Sequence, residues 1–104
     1  MKDRICLPFV EGTRGINTGD IIYIESYRHR IVFHTLDGDL TIYKPLQEIC
    51  ALLDDKAFVR IHKSYIAGLK HVRSLKNYTI TFEDGTVLPV PRGRFPYARK
   101  VLAS

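Results

Sequence analysis

Short runs in which apolar and polar residues alternate dominate this chain and predict β-strands. In residues 78–82, Tyr-Thr-Ile-Thr-Phe, the aromatic and aliphatic side chains would face one side of a strand and the threonines the other. Other β-branched and aromatic runs predict strands near residues 4–10, 14–18, 21–24, 30–35, 40–43, 58–61, 69–76 and 86–90. So many short strands imply a meander or small packed sheets.

Two Asp-Gly pairs separate neighbouring predicted strands, Asp37-Gly38 in the first half of the chain and Asp84-Gly85 in the second. Asp-Gly favours the tight turns of β-hairpins because both residues tolerate a positive φ. We therefore expect an antiparallel hairpin at each pair.

Helical periodicity is confined to a few segments. After Pro45, which suits a first helical turn, apolar residues recur at helical spacing and predict one internal helix over about residues 45–53. A short C-terminal helix is predicted over about 95–102, and residues 64–68 are a candidate for a single helical turn stopped by Gly68. The fold class predicted is thus mainly β, in a single domain covering residues 1–104.

Several protein classes are disfavoured by the sequence. Charged residues interrupt every apolar run before it reaches the ~20 residues of a membrane span, and the N-terminus lacks the pattern of a secretory signal. Cys6 and Cys50 lie far apart without CxxC spacing. We expect two reduced, mostly buried thiols in a cytoplasmic protein.

The charge is distributed unevenly. Residues 1–55 carry six Lys/Arg and nine Asp/Glu, whereas residues 56–104 carry ten Lys/Arg and only Glu83 and Asp84 as acids. Aromatic and aliphatic residues interleave the basic half, so it must fold and gather its charges on a surface. Such a surface attracts polyanions through salt-sensitive counterion release. Nucleic acid is the leading partner class, ahead of a membrane surface, since no basic amphipathic helix is apparent.

The predicted internal helix is a poor reader of DNA. A helix-turn-helix protein needs two adjacent helices with one free for the major groove. Here the exposed helical positions are neutral or acidic, and acids would repel phosphate; they are Gln47, Glu48, Asp54 and Asp55. Contacts are therefore expected from loops and strand ends of the basic half, together with the 28–30 loop.

Two basic clusters lie next to predicted strands. Within residues 58–66, FVRIHKSYI, Arg60 and His62 share one side of the strand, and Lys63 and Ser64 follow at its exit. These donors suit phosphates and base edges, although an exposed strand edge that uses charge against aggregation explains them equally well.

The other such cluster is Tyr27-Arg28-His29-Arg30 at a turn. Arg28 and Arg30 could pair with phosphates and His29 could reach a base edge. A plain polar hairpin tip, with Glu25 partly neutralising an arginine, is the competing interpretation.

A third cluster follows the last predicted strand, in residues 89–94, Pro-Val-Pro-Arg-Gly-Arg. Its prolines stiffen the backbone and Gly93 permits close approach to a partner. Arg92 on such a loop would suit bidentate recognition of guanine. The alternative is a turn that simply leads into the last helix.

Catalytic and metal-binding patterns are missing from the sequence. The four histidines have no zinc-ligand spacing; they are His29, His34, His62 and His71. No phosphate-binding loop or nucleophile motif occurs, and neither cysteine has an identifiable activating partner. We predict that the protein is not an enzyme and uses no cofactor or metal.

Three landmarks in order resemble the LytTR DNA-binding domain, commonly the output module of bacterial two-component response regulators. They are residues 21–26 (IIYIES), 58–66 (FVRIHKSYI) and 88–92 (LPVPR), and the resemblance covers about residues 3–100. It implies an elongated arrangement of short antiparallel strands in small packed sheets. It further implies double-stranded DNA as the partner, with loops entering successive major grooves. Two copies on paired direct repeats are also implied. The chain is either a fragment of a longer parent chain with a receiver domain or a stand-alone regulator, and both alternatives remain open.

The resemblance assigns site residues by position. His29, Lys63 and Arg92 correspond to base-contacting residues. Residues implied as phosphate contacts or supports of those loops are Arg28, Arg30, Arg60, His62, Ser64, Lys76 and Arg94. This chain departs from many members at Ala67-Gly68, where a Val-Asn pair is frequent, and at Pro91, where Ser is frequent.

Two other function classes remain open. A module for RNA or single strands would stack bases on exposed tyrosines, for which the candidates are Tyr27, Tyr43, Tyr65 and Tyr78. A protein-binding domain would instead place its basic face against an acidic partner.

Overall fold

Ten β-strands and two α-helices make up residues 3–103, the part of the chain that the computed structural model describes. The strands are β1 (Arg4–Phe9), β2 (Gly12–Asn17), β3 (Ile21–Tyr27), β4 (Arg30–Thr35), β5 (Gly38–Tyr43), β6 (Phe58–His62), β7 (Tyr65–Gly68), β8 (Val72–Lys76), β9 (Thr79–Phe82) and β10 (Val87–Pro89). The helices are α1 (Leu46–Ala51) and α2 (Phe95–Leu102), and short 3-10 helices occupy Thr18–Asp20 and Leu69–His71.

The strands form three antiparallel sheets. The central sheet has five strands in the order β5-β4-β3-β7-β6, flanked by the β1-β2 hairpin and by a three-stranded sheet in the order β10-β9-β8. The molecule measures 38 Å along its longest axis against 27 and 24 Å along the others. The mainly β fold of short antiparallel strands in small packed sheets, with one internal and one C-terminal helix, is confirmed.

The central sheet separates two hydrophobic cores. Successive residues of a strand point to opposite faces, so Ile66 of β7 enters one core and the next residue, Ala67, enters the other. The first core packs the sheet against the β1-β2 hairpin and α1, and the second packs it against the three-stranded sheet and α2. Burial of apolar area on both faces, worth about 25 cal/mol per Å² removed from water, makes this sheet the rigid scaffold of the domain.

The predicted helical turn at residues 64–68 is wrong. Strand β7 occupies this segment, between β3 and β6. Gly68 does not end a helix; a Cβ atom there would lie 2.4 Å from the carbonyl oxygen of Ile21. The glycine is required because two backbones approach each other closely.

Several predicted boundaries shift. The predicted strand 69–76 begins only at Val72, after a 3-10 helix, and the strand predicted from residue 78 begins at Thr79 because Tyr78 belongs to a turn. The internal helix, predicted over about 45–53, spans Leu46–Ala51. Both Asp-Gly hairpins were predicted correctly at the level of their strands, β4-β5 and β9-β10.

The two cysteines were predicted to be mostly buried, which is wrong for Cys6. In β1 the side chains of Leu7 and Phe9 face the core, so Cys6 lies on the solvent face of the same strand and is exposed. Cys50 is half-buried, and both thiols are free.

Neither described helix has the length and apolarity that a membrane span requires.

Candidate nucleic-acid interface

Two basic turns lie side by side at one end of the central sheet. The first turn, Arg28-His29, joins β3 to β4, and the second turn, Lys63-Ser64, joins β6 to β7. Because β3 and β7 are antiparallel neighbours, the end of β3 adjoins the start of β7. The backbone N–H of Ser26 donates to the carbonyl oxygen of Ser64 at 2.8 Å, which fixes the two turns relative to each other.

The first turn is a tight two-residue connection. Tyr27 pairs with Arg30 across it, and Arg28 adopts the left-handed conformation with φ 61°. The Ser26 hydroxyl donates to the carbonyl oxygen of Arg28 at 3.3 Å, which supports this conformation. The His29 side chain is exposed at the tip.

The carboxylate expected to neutralise this turn has another partner. Glu25 Oε1 lies 2.6 Å from His34 Nε2, and Asp39 Oδ1 lies 3.0 Å from the other ring nitrogen of His34. Within residues 3–103, neither Arg28 nor Arg30 forms an ion pair. The turn therefore presents its full positive charge to solvent.

A row of exposed side chains extends from the first turn across the sheet. Arg30 pairs with Tyr27 on one side and with Tyr43 on the other, and both tyrosines are 64% exposed. The guanidinium of Arg28 lies 5.8 Å from the centre of the Tyr27 ring. These side chains and His29 line an open groove of about 350 Å³.

The second turn is held from within by Arg60. Its guanidinium donates from Nη2 to the carbonyl oxygen of Lys63 at 2.7 Å and from Nε to that of His62 at 3.4 Å. The Lys63 side chain itself is exposed. A guanidinium that bridges two carbonyls fixes the turn backbone and leaves the Lys63 ammonium free to reach outward.

His62 completes the support of the second turn. Its Nδ1 accepts a hydrogen bond from the backbone N–H of Ser64 at 3.0 Å, which requires an unprotonated Nδ1. Burial lowers the pKa of His62 below its usual value of 6.5, and the charges of Lys63 and Arg94 lower it further. The neutral imidazole that the hydrogen bond needs is therefore the favoured form near neutral pH.

The third loop, residues 90–94, is tied to the second turn. Arg94 Nη1 donates to the carbonyl oxygen of Arg60 at 3.3 Å. At its other end the loop is tied to the β8-β9 hairpin, because the Val90 N–H donates to the carbonyl oxygen of Tyr78 at 2.9 Å. The exposed Arg92 guanidinium lies 5.4 Å from the centre of the Tyr78 ring.

The contacts thus link loops that are far apart in sequence into one basic assembly. Comparison with known families finds that the model of the LytTr DNA-binding domain matches residues 11–103. The chain belongs to the LytTR family of DNA-binding domains.

Relatives of the LytTR chain are bacterial regulators. This chain is 29% identical over 106 residues to the CO-responsive transcriptional regulator RcoM of Rhodospirillum rubrum, and the match covers 96% of this chain and 45% of RcoM. It is 26% identical over 106 residues to the sensory transduction protein LytT of Bacillus subtilis, covering 97% of this chain and 44% of LytT. The chain therefore spans less than half the length of these relatives.

The fold has a close match among solved structures. The LytTr DNA-binding domain of a Bacillus cereus methyl-accepting/DNA response regulator superposes with a TM-score of 0.83, at 23% identity and with full coverage of both chains. The arrangement of three small sheets is therefore that of a LytTr domain.

The residues predicted from sequence fall into two connected groups in this LytTR domain. Hydrogen bonds and strand pairing connect the first turn, the second turn and Arg94. Arg92 and Lys76 lie instead at the β8-β9 hairpin, where Lys76 pairs with Thr79. Residues 90–94 join the two groups.

Sequence reasoning missed what Tyr78 contacts. The sequence predicted Tyr78 as the first residue of an alternating strand and as a candidate surface for stacking bases, yet its ring lies against Arg92 and 4.8 Å from the ring of Phe95. These residues belong to different segments, so local patterns carried no signal of the contact. The Asn77-Tyr78 pair at a strand end was the available sign of a turn.

Residues 3–103 hold no group of three or more His, Cys, Asp or Glu side chains that could bind a metal ion.

Proposed function

We propose that this LytTR domain binds double-stranded DNA sequence-specifically by inserting three loops into the major groove. The observation that supports this most strongly is the adjacency of the first and second turns, both basic and exposed, with a third basic loop tied to them through Arg94 and Arg60. Loops fixed on a buried sheet keep their side chains in register with a rigid partner.

The three tip residues have the chemistry that base reading requires. Arg92 carries the planar fork of donors that matches O6 and N7 of guanine, and Lys63 carries a flexible ammonium for the same acceptors. Each nitrogen of the His29 ring can donate or accept a hydrogen bond, depending on the tautomer, so His29 can contact either acceptor or donor atoms of the bases in the groove.

The remaining basic residues divide into two roles. We assign Arg28, Arg30 and Lys76 to phosphate contacts, because their side chains are exposed and form no ion pair within residues 3–103. We assign the supporting role to Arg60, His62, Ser64 and Arg94, which hydrogen bonds hold in and beside the second turn. Arg60 donates to the carbonyl oxygens of His62 and Lys63, the Ser64 N–H donates to His62, and Arg94 donates to the carbonyl oxygen of Arg60.

We further propose that residues 1–104 form a non-catalytic output domain of a cytoplasmic bacterial transcription regulator. The relatives that support this are regulators of transcription and sensory transduction. A receiver domain in a longer parent chain, and two copies bound on paired direct repeats, complete the proposal.

A second candidate is the binding of single strands. The row of Tyr27, Arg30 and Tyr43 favours it, because exposed rings beside a guanidinium can stack bases.

One experiment separates the two candidates. Duplexes that the chain binds are first selected from a random library. The selected sequence is then added as competitor against the bound duplex, once as the duplex and once as each of its single strands. Preference for the duplex, lost when its sequence is scrambled, is the expected result. Equal or stronger competition by the single strands would favour the second candidate.

A further inference from the structure

The turn between β8 and β9 has a tyrosine where hairpin geometry favours glycine. Lys76 pairs with Thr79, so Asn77 and Tyr78 form a two-residue turn, with φ 54° and 58°. Positive φ at both positions is what a type I′ turn requires, and Asn-Gly is its preferred pair. Asn tolerates this conformation, but a bulky residue with positive φ is strained.

Burial does not explain the tyrosine, since Tyr78 is 45% exposed. Its contacts instead converge on the third loop. Its carbonyl oxygen accepts the Val90 N–H at 2.9 Å, its ring lies 4.8 Å from the Phe95 ring, and the Arg92 guanidinium lies 5.4 Å above it. One strained residue thus contacts both ends of the segment that presents Arg92, and Arg92 itself.

We propose that Tyr78 is the positioning residue for Arg92, holding the guanidinium on an aromatic platform in the orientation that reads the base. This inference rests on the proposed function. A cation over an aromatic face is attracted by the ring quadrupole. A long side chain restrained before binding loses less rotamer freedom on binding. The strain at Tyr78 is maintained because no residue without a ring supplies this platform.

The test compares single variants with a double variant. Tyr78→Asn and Tyr78→Gly remove the ring and suit the positive φ, so both are expected to fold, which urea unfolding verifies. Tyr78→Phe keeps the ring and removes only the hydroxyl. Each chain is titrated with the selected duplex and with a scrambled duplex, alongside Arg92→Ala and the double variant Tyr78→Asn/Arg92→Ala.

We expect Tyr78→Asn and Tyr78→Gly to weaken binding of the selected duplex by about tenfold, with scrambled-duplex binding nearly unchanged. Tyr78→Phe should bind like the original chain. In the Arg92→Ala background, Tyr78→Asn should cause no further loss, because the platform then has nothing to position.

The possible failures are distinguishable. If Arg92→Ala loses specific binding and the ring-deleting variants do not, or if the two losses simply add, the positioning inference is overturned and DNA reading by Arg92 stands. If the ring-deleting variants lose affinity equally for the selected and the scrambled duplex, Tyr78 has only a structural role, and the positioning inference is also overturned. If Arg92→Ala itself has no effect, the assignment of Arg92 as a base reader fails together with the inference.

Discussion

The guanidinium of Arg60 donates a hydrogen bond to the carbonyl oxygen of Lys63 at 2.7 Å. Arg60 is half-buried on β6, whereas the Lys63 side chain is exposed beyond the end of that strand. The carbonyl oxygen of Arg60 in turn accepts from Arg94. One residue therefore connects the second turn with the loop that precedes α2, and its variants report on loop support separately from direct contact.

Replacing Arg60 by Ala leaves the turn carbonyl oxygens of His62 and Lys63 without their guanidinium donor. We expect this loss to weaken binding to the selected duplex by about 1–3 kcal/mol, the typical cost of an unsatisfied hydrogen-bonding group. The salt dependence should be unchanged, because Arg60 is assigned no phosphate. Fluorescence anisotropy titrations at several salt concentrations measure both quantities.

Arg73→Ala is the matched control for Arg60→Ala. It removes the same charge from β8, where Arg73 pairs with Glu83 at the end of the strand opposite Lys76. A flatter salt slope for Arg60→Ala than for this control would make Arg60 a phosphate contact and contradict the supporting role.

Replacing Arg30 by Gln should weaken selected and scrambled duplexes equally. If the domain neutralises about six phosphates, log K falls against log salt with a slope of about −5, and removing one contact makes the slope shallower by about 1. The assay is the same titration series. Loss confined to the selected duplex would instead assign Arg30 to a base.

Protonation of His62 should destabilise the fold at mildly acidic pH. Its pKa is lowered by burial and by Lys63 and Arg94, so between the folded and unfolded pKa values the unfolded chain binds more protons. The stability that this group contributes is thus complete above the unfolded pKa, about 6.5, and is lost as pH falls through the lower folded pKa.

The check uses urea unfolding at pH 7.5 and pH 5, with His62→Gln as the comparison. The Gln side-chain oxygen can still accept the Ser64 N–H but does not titrate in this range. The original chain should lose more stability on acidification than the variant, because the two chains differ only in the side chain at position 62. An identical loss would show that His62 does not carry the effect.

Gly68→Ala should destabilise the domain by about 1–3 kcal/mol, the usual range for overpacking. The new Cβ would lie 2.4 Å from the Ile21 carbonyl oxygen and 2.9 Å from that of Ile22, both backbone atoms of a buried strand. Gly93→Ala is the control, because no atom lies within 4 Å of a Cβ there. Equal urea midpoints for the two variants would rule out the close approach of β3 and β7.

Local patterns in the sequence were sufficient for most strands and for both Asp-Gly hairpins, because alternation and turn chemistry are properties of adjacent residues. The helical turn predicted at Gly68 is wrong because a glycine that ends a helix and one that admits a neighbouring backbone look the same in sequence. For Cys6 the alternation of Leu7 and Phe9 indicates the solvent face, which overrides the general tendency of cysteine to be buried.

Contacts between distant segments could not be predicted from the residues alone. The pairing of Glu25 with His34 across two strands removed the carboxylate expected beside the first turn. The contact of Arg92 with Tyr78 depends on how the third loop packs against the β8-β9 hairpin. Both result from tertiary packing, which periodicity does not encode.

The measurement that tests the proposed function most directly is protection of guanine N7 from dimethyl sulfate on a selected duplex, because N7 lies in the major groove. We predict protected guanines on one side of the duplex when the chain is bound, and loss of protection at one of them with Arg92→Ala. Tight binding that leaves every N7 reactive would contradict major-groove insertion of the three loops.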